Sequence, residues 1–173
     1  MAAKNPWTKY IVLLVVALLL LGVNFMKNRK HVQKTDPIFE IKSEEVIQIS
    51  ITKDTLEVIL AKSDTNWVFV SQDTGEVNQD RIDNFLKNIM EDGEYSGFQT
   101  MNPDKYTQYE ITDNLSTKIT LKLANNSEKV LYTSHSKSNY AHDYIRYEND
   151  PKVYVTTKKI MYHFSERSDF WRK

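Results

Sequence analysis

The chain has 173 residues, with 23 lysines and arginines against 23 aspartates and glutamates, four histidines and no cysteine. A cysteine-free composition fits either side of a membrane and excludes a lipid-modified N-terminal Cys. The zero net charge hides an asymmetry: residues 1–36 carry +5 and residues 37–173 carry −5, and a mildly acidic domain lacks the basic surface that nucleic acid requires.

Residues 1–9 read as a short N-terminal tail. Ile11 to Leu21 then runs IVLLVVALLLL, eleven apolar residues in a row. As a helix, Ile11–Met26 would span roughly 24 Å and Trp7–Met26 about 30 Å, the thickness of a hydrocarbon layer. Residues 10–26 are therefore expected to form a single-pass transmembrane signal anchor in contact with membrane lipid. Trp7 and Tyr10 would sit at one interface and Lys27 would snorkel at the other, with Ile11, Leu14, Leu18, Leu21 and Phe25 between them. A cleaved secretory signal is the rival reading. It lacks a small-residue cleavage pattern, because the run ends Gly22-Val23-Asn24-Phe25-Met26. A helix buried in a domain would need more apolar neighbours than the remaining chain supplies. Lys4 and Lys9 precede the run and Lys27, Arg29, Lys30 and Lys34 follow it, so charge bias gives conflicting orientations. Residues 27–37 read as a basic juxtamembrane linker able to touch anionic headgroups.

Residues 38–173 are long enough for one domain with one core, and ten tyrosines, seven phenylalanines and three tryptophans favour sheet. Ile47, Ile49 and Ile51 alternate with polar residues, as a half-buried strand does. Leu56–Leu60 and Trp67–Val70 continue an antiparallel meander. Ile82, Phe85, Leu86, Ile89 and Met90 then fall on one helical stripe. Asn78 is the expected N-cap, Val77 and Ile82 a hydrophobic staple, and Gly93 the stop. Glu94–Ser116 reads as irregular, with a turn at Asn102-Pro103-Asp104. Strands resume at Lys118–Leu123, Lys129–Thr133, Tyr140–Tyr147 and Lys152–Thr157. Ile160, Met161 and Phe164 point to a short final helix, and the Phe170-Trp171 tail is expected to dock. The strand-then-helix order occurs twice, a hint of internal duplication. The expected fold is α+β: antiparallel sheet meanders with one or two packed helices, preceded by one transmembrane helix.

Chemistry-bearing residues are sparse. His31, His135, His142 and His163 lack metal-ligand spacing, and no phosphate-binding glycine loop is present, so neither a metal nor a cofactor is expected. Ser134-His135-Ser136 with Asp143 can be drawn as nucleophile, base and orienter, but no nucleophile elbow accompanies it. An enzyme is not expected. In the segment Tyr140–Tyr147, alternation sends Tyr144 and Arg146 to one face. With Tyr140 they make a candidate interaction surface, since exposed Tyr and Arg are hot-spot side chains. The competing reading is a core strand with tyrosines at its rim.

Several stretches together resemble a family of extracytoplasmic domains catalogued as a domain of unknown function. They are Ile47-Gln48-Ile49-Ser50-Ile51, Trp67-Val68-Phe69, Val77–Met90, Tyr144-Ile145-Arg146 and Val153-Tyr154-Val155. Tyr109-Glu110-Ile111 resembles the family's Tyr-Gly-Leu turn, with Glu where Gly is usual. The likeness covers about residues 40–165. Members often follow one N-terminal membrane helix, in tandem or beside ABC-type transporters linked to gliding motility. The resemblance implies a single-pass protein of a bacterial cytoplasmic (inner) membrane, with its C-terminal domain in the extracytoplasmic envelope. It also implies an accessory or scaffold subunit, transporter-associated, that acts by protein–protein interaction with an integral membrane partner. The alternative is an envelope module binding polysaccharide or peptide.

Overall fold

A computed structural model of the chain describes Trp7, Tyr10 and residues 13–19, 34–70 and 75–173. Residues 34–173 form one compact unit, and the residues before them form another. In the first unit Trp7, Tyr10, Leu14 and Leu18 are helical and exposed. Ile11, Leu21, Phe25 and Lys27 lie outside the described residues. Among the described residues no helix is long and apolar enough to cross a membrane, which corrects the expectation of a transmembrane helix.

The second unit is a nine-stranded antiparallel sheet. Its strands are β1 (Thr35–Pro37), β2 (Val46–Lys53), β3 (Leu56–Ser63), β4 (Asn66–Phe69), β5 (Glu94–Thr100), β6 (Thr117–Leu123), β7 (Glu128–His135), β8 (Asp143–Tyr147) and β9 (Val153–Thr156). Their order across the sheet is β1-β5-β9-β8-β7-β6-β2-β3-β4. Helix α1 (Gln79–Phe85) continues into a π-helical turn, Leu86–Glu91, and α2 (Ser168–Trp171) closes the chain. This is a β fold with short helices rather than the α+β fold expected.

Three local expectations fail for one physical reason, namely that the deciding partners are distant in sequence. Thr35–Pro37, read as linker, pairs with β5, and β5 also pairs with β9 through two register shifts. β5 lacks a clean alternation: Phe98 is 55% exposed and Gly97 has a φ of 61°. The expected helix over Ile160, Met161 and Phe164 is absent. The segment instead closes a single turn, His163 N–H to Ile160 O at 3.0 Å, whose leading amides, Ile160 N–H and Met161 N–H, donate to Asp143 Oδ2 at 2.7 and 3.0 Å. Without that helix the hint of internal duplication also fails.

One sheet face carries the main core. Ile51, Ile119, Leu131 and Tyr147 lie in register across β2, β6, β7 and β8. Ile82, Phe85, Ile89 and Met90 of the helix cover this face, joined by Ile160, Phe164 and Trp171. The Asn78 side chain accepts from Arg81 N–H, capping α1. Gly93 is sterically required, since a Cβ there would lie 2.2 Å from the Ile89 carbonyl oxygen. Trp171 is fully buried, with its ring 6.0 Å from Phe85 and its indole N–H donating to Ser165 O at 2.7 Å. The tail therefore docks. Gln79 also covers the open sheet edge: its amide accepts from Trp67 N–H at 2.9 Å and donates to Trp67 O at 3.0 Å. Those main-chain groups are then withdrawn from pairing with another chain.

Candidate functional site

The opposite face of β7, β8 and β9 carries a second, smaller core of Ile111, Tyr132, Tyr144 and Val153. Segment 101–116 forms its roof. Tyr106 O–H donates to Pro151 O at 2.6 Å, and Ser134 O–H donates to Tyr109 O at 2.6 Å. Arg146 ties the roof down. Its guanidinium lies 4.1 Å from the Tyr132 ring centroid and 5.0 Å from that of Tyr106. It donates to Asp113 Oδ1 at 2.6 Å and to Ile111 O at 3.4 Å. Planar Arg is suited to stacking between rings while donating to two separate acceptors, a role for which Lys is a poor substitute.

The strand containing Tyr144 and Arg146 is therefore covered on both faces. Tyr144 is 7% and Arg146 8% exposed, so neither offers an interaction surface, whereas Tyr140 is 78% exposed. Tyr140 has a neighbour that sequence spacing did not reveal. Lys159 Nζ sits 5.8 Å from its ring and 4.8 Å from that of Tyr162, and donates to the Tyr162 hydroxyl at 3.1 Å.

The β7–β8 connection assembles the densest polar chemistry in the unit. Asp143 and His135 are cross-strand neighbours, and Asp143 has no solvent exposure. His135 Nδ1–H donates to Asp143 Oδ1 at 3.1 Å. The other carboxylate oxygen takes the two amides of Ile160 and Met161. Asp143 N–H donates to Thr156 Oγ1 at 2.8 Å, and the Thr156 hydroxyl donates back to Asp143 O at 3.2 Å. A buried carboxylate is tolerable only when its lone pairs are used in this way. His142 Nδ1–H donates to Thr156 O at 2.6 Å, which assigns its ring to structure.

Asp143 thus fixes the His135 tautomer and leaves Nε2 as the ring's remaining polar atom. His135, whose side chain is half exposed, is among the residues lining a cavity of about 250 Å³ with Gln99, Gln108, Glu110, Lys137 and Tyr144. Lys137 Nζ pairs with Glu110 at 2.6 Å, and the Tyr144 hydroxyl meets Ser138 Oγ at 3.1 Å. The cavity presents hydrogen-bond donors and acceptors close to charge balance. The Ser-His-Asp drawing is realised only in its His–Asp half. Ser134 points to the opposite face from His135, and its hydroxyl is spent on Tyr109 O. Ser136 Oγ accepts from Asn139 N–H at 3.1 Å. Among the described residues no cluster of three or more His, Asp or Glu is placed to hold a metal.

A protein-family model described as Domain of unknown function (DUF4340) matches residues 67–173. The match begins inside β4 and takes in the His135 cavity, the Arg146 tie and the docked tail, leaving β1, β2 and β3 outside. No curated protein and no solved structure matches the chain.

Proposed function

The chain belongs to the DUF4340 family, and within it we propose a membrane-held accessory or scaffold subunit that acts by protein–protein interaction. One observation carries this reading. The helical residues 13–19 read LLVVALL, and Leu13, Leu14, Leu18 and Leu19 are 59% to 67% exposed. Apolar surface of that extent calls for an apolar medium outside the chain, and lipid is the medium that an unbroken run from Ile11 to Leu21 suits. The folded unit buries its own core and does not lack an apolar element. The bacterial envelope side, the integral membrane partner and the transporter association follow the family resemblance.

Membranes from expressing cells, washed with alkaline carbonate, should retain the full chain, and gentle detergent should release it with a stoichiometric integral membrane protein. Release by carbonate, or a consistently solitary protein in detergent, would overturn the reading.

The His135 cavity supports a second reading, an envelope module for polysaccharide or peptide. Its lining of amides, hydroxyls, His135 and the mutually paired Lys137 and Glu110 suits a polyhydroxylated or amide ligand better than a charged one. Glycan-array binding that is lost on His135→Ala would favour this reading.

A further inference from the structure

A second cavity, of about 430 Å³, opens between the segment following β1 and the far end of the β7–β8 ladder. Tyr95 and Tyr147 wall it. Their centroids lie 6.2 Å apart, and Tyr154 completes the cluster at 4.5 Å from Tyr95 and 6.0 Å from Tyr147. Tyr147 O–H is committed to Ile38 O at 2.6 Å, which holds that ring in place. Glu40, Glu128 and Glu148 line it together with Lys129, three carboxylates against one ammonium. None of these four side chains has a hydrogen bond or ion pair among the described residues.

The walls register that charge. Burial first, then the neighbouring phenols, Glu40 and Asp150 push the Tyr147 phenol above its ordinary range. Burial, Asp36, Glu40 and Asp150 do the same to Tyr95. An anion would be repelled here. A lining that combines aromatic rings with carboxylates in excess suits an organic cation, which gains both the ring quadrupole and the charge contact.

We propose that this cavity docks a lysine or arginine side chain presented by a basic segment of a partner protein. The proposal rests on the scaffold reading for the existence of a partner, and adds the chemistry by which that partner is held. It is independent of lipid, so it can fail while the carbonate and co-purification results stand.

The test uses the full chain in neutral detergent, with fluorescein-labelled hexalysine as probe and labelled hexaglutamate as the comparison. Hexalysine should bind, salt should weaken it, and hexaglutamate should not bind. Glu40→Gln with Glu148→Gln should weaken hexalysine by about tenfold, the scale of one partly desolvated cation contact. Glu44→Gln with Glu166→Gln removes equal charge elsewhere and should leave affinity within about twofold. Tyr95→Leu keeps an apolar side chain but removes the ring quadrupole, and should also cost about tenfold. Equal losses from the two charge pairs would reduce the effect to net charge and overturn the proposal. So would an unchanged affinity in Tyr95→Leu, or no hexalysine binding at all.

Discussion

Asp143 Oδ1 lies 3.1 Å from Nδ1 of His135, its partner across the β7–β8 ladder, and the carboxylate is fully buried while the imidazole is half exposed. The two residues thus share one bond but differ in what their loss exposes. Asp143 also anchors the turn that replaces a helix after β9.

Removing the carboxylate should therefore cost far more than removing the ring. Asp143→Ala strands the Ile160 and Met161 amides in the interior, and is expected to cost about 3 kcal/mol. Asp143→Asn keeps an oxygen for those amides and should cost about 1 kcal/mol. His135→Ala takes the partner from Asp143 Oδ1 but opens that oxygen to water where the half-exposed ring stood, and should cost about 1 kcal/mol. Urea unfolding of the three variants decides the matter, and an Asp143→Ala loss no larger than that of His135→Ala would refute it.

Glu110 has a φ of 52°, in the left-handed region where a Cβ costs roughly 1–2 kcal/mol. It is the residue that stands where the resembled family's turn has Gly. Its compensation is the pair with Lys137, whose side chain is 71% exposed and which is worth at most about 1 kcal/mol. Strain outweighs the pair, so Glu110→Gly should raise stability by roughly 0.5–1 kcal/mol. Glu110→Ala keeps the strain and loses the pair, and should not stabilise. A melting temperature for Glu110→Gly below that of the parent chain would contradict this ordering.

Thr133 is fully buried in β7, and its hydroxyl has no hydrogen-bond partner. Its register neighbours are Thr117 and Ile145. Thr133→Val preserves the branched shape and removes the orphaned polar atom, so a gain of about 1 kcal/mol is expected. Denaturant midpoints compared at constant slope measure it. A loss of stability would mean that the hydroxyl is satisfied in solution.

His163 is expected to give the folded unit an acid-side pH dependence. Burial, and then the nearby Lys158, lower its proton affinity below the ordinary value of 6.5, and Nδ1–H donates to Asn84 Oδ1 at 3.1 Å. The unfolded chain then binds the proton more readily than the folded one. Stability from this site is complete above pH 6.5 and declines as pH falls below it, until the folded group also protonates. His163→Gln should flatten that acid-side slope without changing the neutral plateau by much. Identical slopes for the two proteins would exclude His163 as the source.

Short-range pattern alone determined much of the sheet. The alternation in Ile47–Ile51 and Ile119–Leu123 matches β2 and β6, and the stripe from Ile82 to Met90 with its Asn78 cap matches the helix. These features are set by neighbours within a few residues, where the periods of side-chain direction operate. Only the tertiary structure decided the rest. β1 and β5 exist because each finds a partner more than fifty residues away in chain or sheet, and neither has a pattern of its own. Tyr144 and Arg146 left the surface because segment 101–116 folds over them, a covering invisible to the alternation within β8. Residues 160–163 form one turn anchored by Asp143, on another strand, whose carboxylate takes the Ile160 and Met161 amides, a contact that local spacing does not reveal. In each case a contact closed across a long loop outweighed a local preference of a few tenths of a kcal/mol per residue.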